Sequence, residues 1–339
     1  MPNQVTLKPS DHVFTAKAGE TILDAALREG FVISYGCRNG ACGTCKGRLL
    51  AGEVDYGQYQ TSALSDAEKR QGYALFCQAK PRGDVVIECR EVGASKDVQI
   101  RTLPARVQKM QRLAPDIMLV ELKLPASERL QFLAGQYIDI LLKDGNRRSF
   151  SMANAPHDDD VLQLHMRNYG GPFSTHVFSK MKERDILRFE GPLGTFYLRE
   201  NSEKPAILLA SGTGFAPVKA IVEHAFHVHC ARPLILYWGA RTRADLYLNG
   251  LAEQWAREHN NFKYVPVLSE PLASDQWNGR SGLVHQAVMK DIADMSGCQV
   301  YACGVPVMVE SARRDFSAQC GLPETEFFSD AFTPATPAA

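Results

Sequence analysis

Residues 35–46 read Y-G-C-R-N-G-A-C-G-T-C-K, and residues 74–78 read A-L-F-C-Q. Their cysteines, Cys37, Cys42, Cys45 and Cys77, stand in the spacing C-x4-C-x2-C-x31-C. Thiolates in this spacing ligate a [2Fe–2S] cluster. Zinc also takes thiolates, but its structural sites use two C-x2-C knuckles, and here only Cys42 and Cys45 are so paired. Gly36, Gly40 and Gly43 lie among the ligands. Glycine accepts positive φ and lets backbone amides approach the sulfurs closely. A [2Fe–2S] cluster carries one electron, so a much longer chain must have a use for it.

Outward from the cysteines, residues 4–17 alternate as a β-hairpin turning near Pro9-Ser10-Asp11. Thr21 to Glu29 has helical periodicity, with Gly30 where a C-terminal stop belongs. K-G-R-L-L-A-G-E-V-D predicts a strand and turn, and Asp84 to Cys89 a closing strand. The polar stretch 91–99 reads as a linker. From Leu103 to about Arg199, short turn-separated strands predict an antiparallel barrel. After Pro205, strands alternate with helices, the pattern of βαβ units on a parallel sheet. The first of these helices is expected from Val218 to about His229. The tail T-P-A-T-P-A-A is expected to be disordered.

Bulk properties narrow the function. The 339 residues suffice for two or three domains. Lys+Arg and Asp+Glu are both 38, and residues 1–97 carry twelve of each sign. That balance argues against nucleic-acid binding or a polybasic membrane anchor. No apolar stretch reaches the roughly 18 residues of a membrane span, and the start lacks a signal peptide's apolar core. Nine cysteines in so long a chain do not make a secreted disulfide framework, and a reducing cytoplasm is expected. Cys89, Cys230, Cys298 and Cys320 read as buried small hydrophobes. His224 and His227 share a helical face that suits a metal, but no further ligand pattern follows.

Residues 147–154 read R-R-S-F-S-M-A-N. Arg148-x-Phe150-Ser151 resembles the R-x-Y-S flavin motif of the ferredoxin–NADP reductase superfamily. The resemblance implies that Arg148 neutralises a flavin phosphate, Phe150 packs on the isoalloxazine and Ser151 hydrogen-bonds near flavin N5. Each role suits the group: guanidinium binds phosphate bidentately, an aromatic face stacks on a flat ring, and a hydroxyl both donates and accepts. Phe150 replaces the usual Tyr, which keeps the stacking and loses one phenolic hydrogen bond.

G-G-P-F-S-T, residues 170–175, resembles the family's flavin pyrophosphate cradle, with Gly171 and Ser174 as contacts; it also reads as a plain helix start capped by Ser174. G-T-G-F-A-P, residues 212–217, lies between a buried strand and a helix, where a dinucleotide pyrophosphate docks. Its candidates are Gly212, Thr213, Gly214 and Pro217, and the proline makes it the reductase form of the turn. C-G-V-P, residues 303–306, is similar to the family's C-G-x-P. The resemblance puts Cys303 and Gly304 where nicotinamide meets flavin; the alternative is a buried strand-end cysteine. E-F-F-S-D-A-F, residues 326–332, matches loosely the aromatic–acidic segment over the flavin, with Phe328, Asp330 and Phe332 as candidates beside simple core packing.

In this order the motifs resemble the N-terminal-ferredoxin class of the superfamily across almost the whole chain, nearest in wording to the reductases of 3,6-dideoxysugar synthesis. The resemblance implies a multidomain fold. An α+β (β-grasp) plant-type ferredoxin domain is expected at 1–93, an antiparallel β-barrel FAD domain at 100–200, and an α/β parallel-sheet NAD(P)H domain at 203–333. Ser151, Cys303 and Asp330 are the expected catalytic residues. Electrons are expected to run from NADH, with NADPH possible, through FAD and the cluster to a partner. That partner is a PLP/PMP-type dehydratase or an oxygenase component. Arg241 and Arg243, in G-A-R-T-R-A-D-L-Y, are placed to hold a ribose 2′-phosphate or else are solvated loop arginines. A non-catalytic electron carrier or redox sensor is the contrasting reading.

Overall fold

The structure, a computed structural model, describes residues 2–92 and 99–332. Most of the expected linker and the tail 333–339 lie outside the described residues. The chain divides into two compact units, residues 1–98 and 99–339.

In the first unit, β1 (Asn3–Lys8) and β2 (His12–Ala16) form the hairpin, with Asn3 opposite Ala16. α1 (Ile22–Arg28) begins at Thr21, whose hydroxyl accepts from the Asp24 N–H at 3.1 Å. Gly30 follows its end with φ +84°. Then come β3 (Lys46–Ala51), β4 (Val54–Asp55), α2 (Asp66–Arg70), β5 (Tyr73–Leu75), β6 (Lys80–Pro81) and β7 (Val85–Glu88). The main sheet runs β2-β1-β7-β3-β5. β7 is therefore interior, parallel to β1 and antiparallel to β3. Its alternating Val85 and Ile87 join Val5, Leu7, Ile22 and Leu23 in the core. α2 is a helix the apolar pattern does not announce, because none of its residues is buried. A capping box between Ser65 and Glu68 starts it instead.

The second unit opens with β8 (Arg101–Ala114), β9 (Ile117–Lys123), β10 (Tyr137–Leu141), β11 (Arg147–Ser151), β12 (Leu162–Arg167), α3 (Pro172–Ser179) and β13 (Ile186–Leu193). These strands pair antiparallel in the order β11-β10-β13-β8-β9-β12. A bridge between Met152 and Leu164 joins the first strand to the last and closes the barrel. Leu103, Ala105 and Val107 point inward from β8, the alternation of a half-buried strand.

β14 (Ala206–Ser211), α4 (Phe215–His227), β15 (Leu234–Ala240), α5 (Asn249–Glu258), β16 (Phe262–Leu268), β17 (Arg280–Ser281), α6 (Val284–Asp291), β18 (Gln299–Gly304), α7 (Pro306–Cys320) and β19 (Phe327–Ala331) follow. All their strand pairs are parallel, in the order β17-β16-β15-β14-β18-β19. Phe215 stacks on Trp238 at 3.9 Å in the core under this sheet. α4 starts at Phe215, earlier than the expected Val218. Pro217 does not prevent this, since the first-turn N–H groups of a helix have no intrahelical acceptor. Pro266 sits inside β16 because β17 pairs only with Val267 and Leu268, leaving the proline on an edge stretch. Among the described residues, no helix is long and apolar enough to cross a membrane.

Candidate active site and iron–sulfur centre

The four ligand cysteines form two pairs. Cys37 lies beside Cys42 and Cys45 beside Cys77, close enough that each thiol shifts the titration of its partner. Within each pair one thiol is pushed up and the other held down. The Cys37 thiol, with the Thr44 hydroxyl, holds Cys42 down to about 6 against its burial. The Cys45 thiol lowers Cys77, again against burial. The Cys37 amide points at Cys42 Sγ at 3.4 Å, and Thr44 Oγ1 lies 3.3 Å from the same sulfur. Thiols are soft donors of the kind an iron–sulfur cluster takes.

The loop around them is shaped by glycine for two different reasons. Gly40 and Gly43 adopt φ of +76° and +73°, as the sequence suggests. A Cβ on Gly40 would also stand 2.6 Å from the Gln58 carbonyl oxygen. Gly36 has no positive φ; a Cβ there would instead press on Cys42 Sγ at 3.2 Å. Arg38 is left-handed without being glycine, φ +58°, and the Gln78 amide donates to its carbonyl at 3.1 Å. Thr44 and Gln78 went unread in the sequence, although a hydroxyl within C-G-T-C was a signal for Thr44. Of the other cysteines, Cys320 is buried as expected, but Cys89, Cys230 and Cys298 are only half-buried.

In the second unit, the candidates on β11, β18 and β19 come together. Cys303 and Asp330 are register partners on adjacent strands. Ser151 Oγ donates to Asp330 Oδ2 at 3.4 Å, joining the barrel to the parallel sheet. Burial, with the Asp330 carboxylate, pushes the Cys303 thiol well up, so it stays a neutral thiol. It is fully buried, which suits a positioning group and not a nucleophile. Phe150 is half-buried and lies 5.8 Å from Phe173 in the first turn of α3, so one ring contact joins the R-x-F-S strand to the glycine cradle.

The α3 cap differs from expectation. Gly171 is the N-cap and Pro172 opens the helix. Ser174 is no cap: its hydroxyl donates back to the Gly171 carbonyl at 3.0 Å. No side chain caps this end, so the first-turn amides of α3 face outward as anion donors. Arg148 stands half-buried on β11, its guanidinium donating to the Arg147 carbonyl at 2.7 Å. Phe328 follows the core-packing account. Tyr301 stacks on it at 4.8 Å and the Arg199 guanidinium lies 4.5 Å from its ring centre. Phe332 is half-buried, its N–H bonded to the Gly304 carbonyl at 2.8 Å.

The glycine turn after β14 is a 3-10 turn, Gly212–Gly214, that runs directly into α4. Gly212 has φ +53° and its carbonyl accepts from the Trp238 indole at 3.1 Å. Thr213 is buried. A Cβ on Gly214 would stand 2.2 Å from the Cys303 carbonyl oxygen, and one on Gly304 2.1 Å from Ser211 Oγ. The turn and the end of β18 thus lie backbone against backbone. Arg167, unread in the sequence, is held between Asp116 at 2.6 Å and Asp245 at 2.8 Å beside Gly212. Arg241 and Arg243 are both exposed, and the Arg243 guanidinium donates to the Asp275 carbonyl at 3.3 Å. His224 pairs with Glu200 at 2.9 Å, while His227 stacks on His157 at 3.8 Å, so the two histidines turn to different partners.

Comparison with known proteins finds three domains in this chain. The chain matches the 2Fe-2S iron-sulfur cluster binding domain over residues 5–82, the oxidoreductase FAD-binding domain over 104–197 and the oxidoreductase NAD-binding domain over 208–314. It is 40% identical to the CDP-6-deoxy-L-threo-D-glycero-4-hexulose-3-dehydrase reductase of Yersinia pestis, over 99% of this chain and 100% of that protein. The chain belongs to the N-terminal-ferredoxin class of the ferredoxin–NADP reductase superfamily. It is also 33% identical to reductase component 1 of the terephthalate 1,2-dioxygenase of a Comamonas species, over 98% of each chain. The crystal structure of the Amycolatopsis cytochrome P450 reductase GcoB superposes with a TM-score of 0.81, at 34% identity over 98% of this chain and 100% of that one.

As a member of this class the chain is an NAD(P)H-dependent iron–sulfur flavoprotein oxidoreductase, with [2Fe–2S], FAD and NAD-binding domains. The residues described fit those groups: thiols for an iron–sulfur cluster, an uncapped helix start for a pyrophosphate, a glycine crossing for a nicotinamide. When bound, FAD accepts two electrons as a hydride and yields them singly, and the cluster carries one at a time. The protein's own part is placement. Cys303, Ser151 and Asp330 are buried together, and the Cys303 thiol is held neutral there.

Proposed function

We propose that the second unit aligns a nicotinamide on FAD at Ser151, Cys303 and Asp330, and that the cluster held by Cys37, Cys42, Cys45 and Cys77 is the exit. In this reading Arg148 and the α3 amides at Gly171 and Ser174 take the FAD phosphates, and Phe150 packs on the flavin ring. Gly212, Thr213, Gly214 and Pro217 seat the dinucleotide, and Gly304 admits the nicotinamide. The domains are placed at 1–93, 100–200 and 203–333; the matched residues 5–82, 104–197 and 208–314 support this. The observation that carries the assignment is the Ser151–Asp330 contact, which puts the R-x-F-S strand against the strand pair bearing Cys303.

NADH is the assigned donor, supported by Arg243, a candidate for a ribose 2′-phosphate, being turned to Asp275. The acceptor is a PLP/PMP-type dehydratase of the kind served by CDP-6-deoxy-Δ3,4-glucoseen reductases; the 40% relative supports it. An oxygenase component is the second reading, supported by the terephthalate dioxygenase reductase at 33%. Nine thiols, with all those described free, suit a reducing cytoplasm.

Anaerobic titration with NADH and with NADPH, followed by visible absorption, tests the relay. Flavin bleaching followed by loss of the cluster bands is expected, at lower concentration with NADH. Bleaching that leaves the cluster bands intact, or no response, rejects it. A second test addresses the phosphate site. Arg148→Leu weakens FAD binding by about ten- to a hundredfold, the worth of a charged hydrogen bond, read as FAD fluorescence released on dilution.

A further inference from the structure

We infer that Lys219 is a positioning residue for hydride transfer, clamping the end of flavin strand β11 to nicotinamide helix α4. The inference rests on the placement of FAD against Arg148–Ser151 proposed above. Lys219 lies one turn into α4 and is 9% exposed. Its Nζ donates to the Ala153 carbonyl at 3.0 Å and to Glu223 Oε2, one helical turn on, at 2.8 Å. An ordinary i,i+4 ion pair keeps both heads in water. This one buries the ammonium and spends one of its three donors on the backbone of another layer.

The carbonyl it grips is well chosen. Ala153 comes two residues after Ser151, and its own N–H donates to the Gln163 carbonyl at 2.7 Å. The strand end is therefore held by the barrel on one side and by α4 on the other. Two further contacts cross the same seam from β12: His165 Nδ1 with the Tyr247 hydroxyl at 3.0 Å, and Arg167 with Asp245 at 2.8 Å. Along β11 the seam has Ser151–Asp330 and Ala153–Lys219. The first is long at 3.4 Å, and charge-assisted bonds are the shorter and stronger kind. Lys219 thus sets the spacing between the R-x-F-S strand and the glycine turn at the start of its own helix. Its field is felt in the seam: burial, with the Lys219 charge, pushes His165 down to about 3 and keeps that imidazole neutral.

Hydride transfer needs the reacting atoms close and aligned, and a 1 Å misplacement costs roughly a hundredfold. Removing Lys219 alone would strand the half-buried Glu223 carboxylate, so the informative variants are Glu223→Gln and the double variant Lys219→Met/Glu223→Gln. Both are measured as holoenzyme, by stopped-flow flavin reduction at saturating NADH and by visible circular dichroism of bound FAD. Glu223→Gln, which keeps the clamp, should match the wild type in both. The double variant should retain FAD but reduce it at least about tenfold more slowly, with an altered flavin dichroism. A double variant indistinguishable from wild type overturns the inference, as does a Glu223→Gln variant that falls equally far. If the double variant does not fold, Lys219→Gln is read in the same way, because its shorter amide still partners Glu223 and does not span to Ala153. Failure of the underlying flavin placement would show separately, as unchanged FAD affinity in Arg148→Leu.

Discussion

Cys45→Ser abolishes NADH-dependent cytochrome c reduction and leaves NADH-to-ferricyanide activity close to that of the unaltered protein. Cys45 is buried, and its thiol is one of the four proposed ligands. A serine hydroxyl is a poor substitute for a thiolate, being harder and protonated at neutral pH. The cluster absorption should disappear with the cytochrome c activity. Residues that hold FAD and nicotinamide belong to the other compact unit, 99–339, so flavin content should stay near one per chain. Ferricyanide, which takes electrons from reduced flavin directly, then reports the intact upstream half. Equal loss of both activities in a folded, FAD-loaded variant would show that the order of transfer is wrong.

Gly214→Ala acts at the other end of the relay. The added Cβ would stand 2.2 Å from the Cys303 carbonyl oxygen, and backbone atoms there have no soft rotamer through which to yield. Either the 3-10 turn Gly212–Gly214 or the end of β18 must move, which disturbs the proposed nicotinamide seat. Flavin reduction by NADH should slow by about a hundredfold or more, while dithionite still reduces both flavin and cluster. Overpacking of this kind also costs about 1–3 kcal/mol of stability, seen as a lowered melting temperature. NADH reduction at the original rate would mean that the crossing of Gly214 on Cys303 does not shape the site.

The two sites were legible in the sequence to different degrees. The cluster loop could be read because its ligands are close in sequence and its chemistry is one of spacing. Even there, only the structure separates the glycines: Gly40 and Gly43 take positive φ, while Gly36 makes room for Cys42 Sγ. The extent of the barrel and of the parallel sheet was legible from periodicity. The interior position of β7 was not, since alternation marks a half-buried strand without saying which neighbours flank it. α2 escaped because it buries nothing, and the start of α4 was set late because a proline reads as a boundary unless it falls in the first turn.

By itself the sequence supplied four cysteines in cluster-ligand spacing and the order of three domains. Local spacing and periodicity are enough for these. Tertiary structure alone decided that Ser151 meets Asp330 across 179 positions of chain, that Phe328 is packed between Tyr301 and Arg199, and that Lys219 reaches the Ala153 carbonyl. Such contacts join elements whose separation along the chain carries no pattern. They exist only once the barrel has closed and the parallel sheet has brought the ends of β18 and β19 against it.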